Sequence, residues 1–416
     1  MNVSGHRARI CLITPGHLAT NPRLVKEADA LTEAGNDVAV IAADYVGWAR
    51  EADAEFRGRP WQVAARLSFG PDAPPARYLV QTLRRRGARA LLRLAPRSSL
   101  LQEAATHPIG PDLIRAARAV RADLYIAHYI AALPAAAKAA ARFGAKYAFD
   151  AEDFHLGEFP DGQATLARDL VAAIEARYLP GCAYLTAASP GIADAYAENY
   201  GLTRPTVVLN VFPKDRAPPQ PTEAGTIAPG PSVYWFSQTI GPNRGLETAV
   251  RALSLSAARP HLYLRGNPAR GFAEELLAIA AAGGSTDRIH FLAPAPPGEM
   301  ERVAQNYDIG LASEPGWTRN NSILLSNKIF TYLLAGLPIA ASATSANTSL
   351  AATGVAAIHL YEPDNPVALA SVYDALLLDK ACLTEARISA WRLGQQRFNW
   401  ELENRVLLSE IERTLA

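Results

Sequence analysis

The sequence is poor in several features that mark whole classes of protein. Its 416 residues include three cysteines, which are isolated from one another along the chain: Cys11, Cys182 and Cys382. Their number and spacing fit neither a disulfide framework nor a zinc site, so we interpret them as buried thiols in a reducing compartment. Charge of one sign is not in surplus either, because 41 basic residues stand against 40 acidic ones. The net charge of +1 argues against general nucleic-acid binding.

Long hydrophobic runs and two common nucleotide-binding loops are also missing. No stretch reaches the ~18 apolar residues of a membrane span, and the apolar run near the N-terminus is too short for a signal peptide. We therefore expect a soluble, cytoplasmic protein that could rest on a membrane surface. Neither a Gly-x-Gly-x-x-Gly motif after the first strand nor a Walker loop occurs, which disfavours dinucleotide oxidoreductases and P-loop kinases.

Strand-like and helix-like segments alternate along the whole chain. Apolar segments typical of buried strands include RICLIT, DVAVIAAD, DLYIAHY, KYAFDAED, YLTAAS and TVVLNV in the first half, and SVYWFSQ, PHLYLRG, RIHFLAP, YDIGLAS, LPIAAS and AAIHLYE in the second. Continuous apolar strands separated by helices predict parallel sheets covered on both faces. We predict an α/β protein with two Rossmann-like doubly wound domains facing a cleft, where ligands bind at the carboxyl ends of the strands.

The domain boundary is predicted from composition. A chain of this length is too long for one core. Residues 212–232 are rich in proline and glycine and show no periodicity, which is typical of a linker. We place the first domain at 1–212 and the second at 213–396.

The second domain contains a segment suited to binding an anion, NNSILLSNKIFTYLLAGLPIAAS at 320–342. A helix is predicted to begin near Ser326, and its first amides lack partners at the positive end of the helix dipole. Lys328 adds a full charge there, and Arg244 in the GPNRG turn stands at another strand-to-helix junction. Two cations and a helix terminus could hold a leaving diphosphate without metal.

These segments resemble those of family 4-like glycosyltransferases, which have the two-domain GT-B fold. The resemblance covers nearly the whole chain, in the right order, through TNPRLVKEADALTEAGNDVAVI, FDAED, GPNRGLETAVRAL, SNKIFTYLLAGLPIAAS and FNWELENRVLLSEI. It implies that the first domain binds the acceptor and the second the nucleotide sugar. It also implies that a last helix at about 397–416 packs back on the first domain.

The resemblance assigns donor-binding roles in the second domain. Arg244 and Lys328 would contact the diphosphate, and Asn320 or Asn321 would reach the donor sugar or phosphate. Asn327 is the first residue of the Asn-Lys motif in the same donor site.

The sequence departs from the family at Thr331, where a glutamate usually holds the ribose. A threonine hydroxyl cannot grip two ribose hydroxyls as a carboxylate does. Either another residue, such as Glu314, does this, or the donor nucleotide differs.

Acidic residues and a histidine follow a predicted strand of the first domain, in YAFDAEDFHLGEF. Glu152, Asp153 and His155 are candidates for the base that deprotonates an acceptor hydroxyl. His128 ends another strand, and the resemblance places a cleft histidine nearby. If Glu152 or Asp153 is the base, the sugar's configuration inverts. If the donor phosphate takes the proton, configuration is retained and Glu152 positions the acceptor.

Two residues near the first strand are candidates for acceptor binding. Gly16 would allow the backbone to approach a ligand closely, although a plain turn glycine is an alternative. Arg23 could contact an anionic group or be a solvated residue of the first helical turn.

A basic segment at 76–105 stands apart from these motifs. Six of its seven arginines lie among leucines and alanines: Arg84, Arg85, Arg86, Arg89, Arg93 and Arg97. This pattern indicates either a surface that meets anionic lipid or an anionic acceptor, or a solvated helix face.

Taken together, the sequence predicts a metal-independent glycosyltransferase that uses a nucleoside-diphosphate sugar and no further cofactor. Its acceptor would be a glycan, a lipid-linked sugar or a small molecule, in bacterial polysaccharide or glycolipid synthesis. Two alternatives stay open: a nucleotide-sugar 2-epimerase of the same fold, and a non-catalytic partner subunit.

Overall fold

The computed structural model describes residues 7–160, 162–222, 225–227, 229–354 and 356–416. The chain folds into two compact units. Unit 1 comprises Met1–Val208 and Asn404–Ala416, and unit 2 comprises Leu209–Glu403.

Unit 1 is built on a parallel sheet. Over the described residues its strands are β1 (Arg9–Ile13), β2 (Asp37–Asp44), β3 (Gln62–Ser68), β4 (Leu124–His128), β5 (Lys146–Ala151), β6 (Leu185–Ala187) and β7 (Thr206–Val207). Their order is β3-β2-β1-β4-β5-β6-β7. The winding reverses between β1 and β4, which makes their carboxyl ends the expected ligand site of this unit.

Helices connect these strands. They are α1 (Pro22–Glu33), α2 (Gly47–Ala52), α3 (Pro75–Leu91), α4 (Ser99–Thr106), α5 (Gly110–Ala117), α6 (Leu133–Phe143), α7 (Leu166–Tyr178) and α8 (Pro190–Tyr200). Helix α1 begins where its sequence predicts, because the Asn21 side chain accepts a hydrogen bond from the Leu24 amide at 3.0 Å and Pro22 occupies the first turn.

Unit 2 repeats this architecture. Its strands are β8 (Ser232–Ile240), β9 (His261–Pro268), β10 (Ile289–Leu292), β11 (Ile309–Ala312), β12 (Ile339–Ser342) and β13 (Ile358–Tyr361), in the order β10-β9-β8-β11-β12-β13. Its helices are α9 (Leu246–Leu255), α10 (Phe272–Ala282), α11 (Met300–Ala304), α12 (Arg319–Ile323), α13 (Asn327–Ala335), α14 (Ser345–Ala351), α15 (Pro366–Leu377) and α16 (Lys380–Gln396). The ends of β8 and β11 form the reversal point here.

The two parallel sheets confirm the predicted α/β class. All six strands expected in the second half are present. In the first half β3 was not predicted, because it is an edge strand whose side chains are exposed or half-buried and so lack a continuous apolar run.

The proline-rich segment 212–232 is not a free linker, which corrects the prediction. Its described residues belong to unit 2. The buried Arg387 donates hydrogen bonds to the carbonyls of Thr222 at 2.8 Å and Tyr307 at 2.6 Å, and Trp391 Nε1 donates to the Pro218 carbonyl at 3.0 Å. The segment therefore packs along this unit.

The last helix, α17 (Trp400–Leu415), contributes to unit 1 from Asn404 onward. There Thr206 Oγ1 donates a hydrogen bond to Glu410 Oε2 at 2.6 Å. In the part of the chain that the structure describes, no helix combines the length and the apolar character needed to traverse a bilayer.

Candidate functional site

In unit 2 the GPNRG turn is fixed against the end of β11. Gly245 has φ +69°, and a Cβ there would lie 2.1 Å from the Ser313 carbonyl oxygen, so only glycine fits. Ser313 Oγ in turn donates a hydrogen bond to the Arg244 carbonyl at 2.6 Å. The half-buried Arg244 is therefore held at the reversal point of the sheet.

Lys328 lies in the first turn of α13, the helix predicted to begin near Ser326. Its Nζ is 2.9 Å from Glu314 Oε1 and 3.1 Å from Ser326 Oγ. It also lies 5.4 Å from the centre of the Trp235 ring, a cation–π contact. The Ser326 side chain does not cap the helix, so the first amides of α13 have no partner from that side chain.

Glu314 balances the charge of Lys328. Burial alone would raise the pKa of Glu314, but the Lys328 ammonium outweighs it and the pKa is lowered. Its second oxygen, Oε2, is buried and accepts no hydrogen bond from the described residues. An anion that approaches Lys328 must therefore compete with this carboxylate.

The other predicted donor residues occupy different environments. Asn327 is exposed, Asn321 is half-buried, and Asn320 is buried in α12. Thr331 is buried, and its hydroxyl lies 3.3 Å from Glu301 Oε1 on α11. A carboxylate is thus present beside Thr331, although it comes from another helix and is itself buried.

In unit 1, charged groups converge at the ends of β4 and β5. His128 Nδ1 lies 3.3 Å from Asp150 Oδ2 and 3.3 Å from Glu152 Oε1, while its Nε2 lies 2.9 Å from Glu27 Oε2 on α1. His128 is fully buried, whereas the Glu152 side chain is 12% exposed. Tyr129, the next residue, has the left-handed φ of 66°, a strained conformation of a kind that clusters at functional sites.

The surroundings of His128 favour its protonated form. Burial would lower its pKa, but Asp150, Glu152 and Glu27 together raise the pKa of His128 well above its usual value. Burial raises the pKa of Glu27, even though His128 opposes this. An imidazolium cannot accept a proton, so these surroundings disfavour His128 as the base that would activate an acceptor and leave Glu152 as the more accessible candidate.

Arg23 contacts an anionic group that belongs to unit 1 itself. It is buried, with Nε 2.5 Å from Asp150 Oδ2 and Nη2 2.7 Å from Asp150 Oδ1, and Nη1 donates to the Val208 carbonyl at 2.5 Å. The anionic group that it contacts is therefore Asp150, and its donors are not presented to an acceptor. This bidentate pair keeps the pKa of Asp150 low despite burial.

His155 belongs to a separate buried network. Its Nδ1 lies 3.0 Å from the Tyr196 hydroxyl, which donates a hydrogen bond to Glu175 at 2.7 Å. Asp153, the residue after Glu152, is half-buried. Gly16 follows β1 and is also half-buried, and its carbonyl accepts a hydrogen bond from the Ala43 amide.

One group of side chains has the composition of a metal site. Ligand atoms of His128, Asp150 and Glu152 all lie within 4.8 Å of one another. The guanidinium of Arg23 already occupies both oxygens of Asp150, and the neighbouring carboxylates raise the pKa of His128 despite its burial. The positive charge that the carboxylates need comes from Arg23 and His128, and a metal ligand must be deprotonated, so these residues fit a metal poorly.

The arginine-rich segment divides into two sets. Arg84 forms an ion pair with Asp112 at 2.7 Å, and both Arg85 and Arg89 donate hydrogen bonds to the Ala105 carbonyl. These three contact the unit itself, which corrects the prediction of a continuous six-arginine surface. The exposed members are Arg86, Arg93 and Arg97.

The comparisons with known proteins agree with this architecture. No protein-family model and no curated protein matches the chain. Among solved structures, HepE from Anabaena in complex with UDP and glucose is similar with a TM-score of 0.73 at 16% identity, over 98% of this chain and 100% of that one. Sucrose-phosphate synthase from Thermosynechococcus elongatus has a TM-score of 0.73 at 16% identity, over 98% and 99% of the two chains.

A third similar structure is the lipopolysaccharide outer core galactosyltransferase WaaB. Its TM-score is 0.59 at 11% identity, and the match covers 97% of this chain and 99% of that one. The chain therefore has the fold of the GT-B glycosyltransferases.

Proposed function

We propose that the protein is a metal-independent glycosyltransferase that moves a sugar from a nucleoside diphosphate to an acceptor hydroxyl. The observation that carries this proposal is the arrangement at the reversal point of unit 2. There Lys328 stands at the amide end of α13, and Glu314 and Ser313 connect it to the turn that carries Arg244. HepE, which shares the fold, binds UDP and glucose in its complex, and this supports a similar donor here.

The departing diphosphate needs its negative charge balanced as the glycosidic bond breaks. Lys328, Arg244 and the first amides of α13 would supply that balance. The phosphate would displace Glu314 from Lys328, and the released carboxylate would accept hydrogen bonds from hydroxyl groups of the donor. Thr331 is buried against Glu301, so we assign it no direct contact with ribose. The flanking asparagines Asn320, Asn321 and Asn327 remain proposed donor contacts.

We assign acceptor activation to unit 1. Glu152 is the carboxylate of the charged cluster that reaches the surface, and the His128 imidazolium fixes its orientation. With Glu152 or Asp153 as the base, attack by the acceptor oxygen inverts the configuration. With the donor phosphate as the base, configuration is retained, and Glu152 orients the acceptor hydroxyl.

The proposed setting is bacterial polysaccharide or glycolipid assembly at the inner face of the cell membrane. Unit 1 would bind a glycan, lipid-linked or small-molecule acceptor, with Gly16 at its first loop. No cofactor beyond the donor substrate is proposed. The similarity of WaaB, a lipopolysaccharide galactosyltransferase, supports a glycolipid acceptor.

The test is a turnover assay with EDTA, a panel of nucleotide sugars, and candidate glycan acceptors. We expect one donor to release its nucleoside diphosphate and form a new glycoside only when acceptor is present. Acceptor-independent conversion of the donor would favour the epimerase. A protein that binds no member of the panel would favour the non-catalytic partner subunit.

A further inference from the structure

Helix α3 turns its apolar side away from unit 1. Gln81 and Ala88 are its buried residues, while Leu79, Leu83 and Leu94 on the opposite side are 57%, 58% and 85% exposed. Positions four residues apart lie on one helical face, so Leu79 and Leu83 are neighbours, and Leu94 follows in the turn after the helix. Soluble proteins rarely leave large apolar side chains clustered in this way without a partner.

The segment that carries this apolar side has charge of one sign. Residues 73–102 contain seven arginines and no aspartate or glutamate. Three of the arginines contact unit 1, as described above, while Arg77, Arg86, Arg93 and Arg97 are exposed. Such a segment attracts an anionic surface and disfavours a basic one.

A cavity of about 620 Å³ adjoins the apolar side, between α3 and α7. Arg86, Arg89 and Arg93 line it, and Asp169 is the acidic residue in its wall. Its size and its guanidinium groups suit a phosphate-bearing headgroup.

We propose that these residues form a membrane-docking surface for an anionic lipid bilayer. We call it the α3 surface, and it comprises Leu79, Val80, Leu83, Leu94, Arg86 and Arg93. The leucines and the valine would enter the boundary between headgroups and acyl chains, and the arginines would contact lipid phosphates. The inference depends on the surface of unit 1 and not on sugar transfer, so the two proposals can fail separately.

The experiment is co-sedimentation of the full chain with vesicles of phosphatidylcholine alone or with phosphatidylglycerol added. We expect binding only when phosphatidylglycerol is present. The exposed double variant Leu79→Ser/Leu83→Ser should weaken binding by about tenfold or more, because each apolar side chain adds to insertion. Arg86→Gln/Arg93→Gln should weaken it as well and reduce its sensitivity to salt.

Matched controls come from exposed residues of unit 2. Leu378→Ser and Arg251→Gln replace the same residue types and should leave vesicle binding unchanged. Thermal unfolding of each variant separates a loss of the surface from a loss of the fold. Equal binding to neutral and anionic vesicles, no binding to either, or wild-type binding by both double variants would overturn the proposal. A self-association of the chain that is abolished by Leu79→Ser/Leu83→Ser would also overturn it, because a second copy would then be the occupant.

Discussion

The ammonium group of Lys328 and the carboxylate of Glu314 lie 2.9 Å apart at the start of α13. This pair connects two segments that the sequence separates, the loop after β11 and the helix before β12. Both side chains are mostly buried, so neither charge would be tolerated well without the other. In the proposed donor site an anionic ligand would compete with Glu314 for Lys328, so this pair is the contact on which the proposal depends most.

Removing the lysine should weaken nucleotide binding. Lys328→Ala should raise the dissociation constant of a nucleoside diphosphate about tenfold or more, since a hydrogen bond to a charged group contributes ~1.5–3 kcal/mol. Calorimetry measures this directly. The double variant Lys328→Ala/Glu314→Gln avoids an unpaired carboxylate and should still bind more weakly than the wild type, whereas Lys380→Ala, which changes an exposed lysine of the same unit, should bind as the wild type does. Unchanged affinity in the double variant would remove Lys328 from the site.

Glu152→Gln should separate chemistry from donor binding. The amide keeps the size of the side chain but cannot accept the acceptor's proton, so turnover should fall by ~10²-fold or more while the affinity for the nucleotide stays the same. Initial rates and calorimetry on the same preparation measure the two effects. Glu33→Gln changes an exposed carboxylate of unit 1 and serves as the control. Wild-type turnover by Glu152→Gln would end its assignment as the base.

The buried pair of Arg23 and Asp150 should be important for the stability of unit 1. Arg23→Met removes the bidentate partner of the buried Asp150 and leaves His128 to face the carboxylates of Asp150, Glu27 and Glu152, which should cost about 3–5 kcal/mol. Hydrogen exchange of the β5 amides reports this cost for unit 1. Adding Asp150→Asn should restore much of the loss. By contrast, Arg59→Met breaks the more exposed pair with Asp29 and should cost about 0–1 kcal/mol. A small effect of Arg23→Met would show that the buried charge is solvated in another way.

The elevated pKa of His128 predicts a loss of stability at alkaline pH. The folded chain holds a proton between Glu27, Asp150 and Glu152 that the unfolded chain releases above about pH 6.5. The stabilising contribution is full below that pH and is lost as the pH rises through the higher pKa of the folded state. The slope should approach ~1.4 kcal/mol per pH unit at most.

Hydrogen exchange of the β4 amides between pH 6.5 and 9, corrected for intrinsic rates, tests this prediction. The wild type should lose protection as the pH rises. His128→Gln cannot titrate and should lack this slope, even though its overall stability is lower. Identical slopes in the two proteins would contradict a protonated His128.

The sequence predicted features that depend on neighbouring residues or on continuous burial. The start of α1 is encoded locally by Asn21 and Pro22. The strands of unit 2 are predicted by their own continuous apolar runs, whatever the rest of the chain contains. The edge strand β3 has no such pattern, because one row of its side chains faces solvent and its neighbours stabilise it only after folding. It could not have been recognised from periodicity alone.

In the candidate sites, too, local sequence patterns predicted some residues, and tertiary packing alone revealed others. Lys328, Arg244, Glu152 and His128 were identified from their positions at predicted strand and helix ends. Glu27 was missed, because within α1 it looks like an ordinary helical carboxylate and only tertiary packing brings it to His128.

Two candidate residues have long-range partners that the sequence did not indicate. Thr331 lies against Glu301, 30 positions away, and Arg23 pairs with Asp150, 127 positions away. Neither partner is suggested by spacing. For Arg23 the available signal was Asp150, an acidic residue at the end of a predicted buried strand, because a buried arginine needs an acidic partner.

Calorimetric titration with nucleoside diphosphates in EDTA tests the central claim most directly. The panel consists of UDP, GDP, ADP, CDP and dTDP, each added to the wild-type protein. We predict that at least one binds without metal, because Lys328, Arg244 and the amides of α13 supply the positive charge. Heats indistinguishable from dilution for all five would contradict a donor site in unit 2.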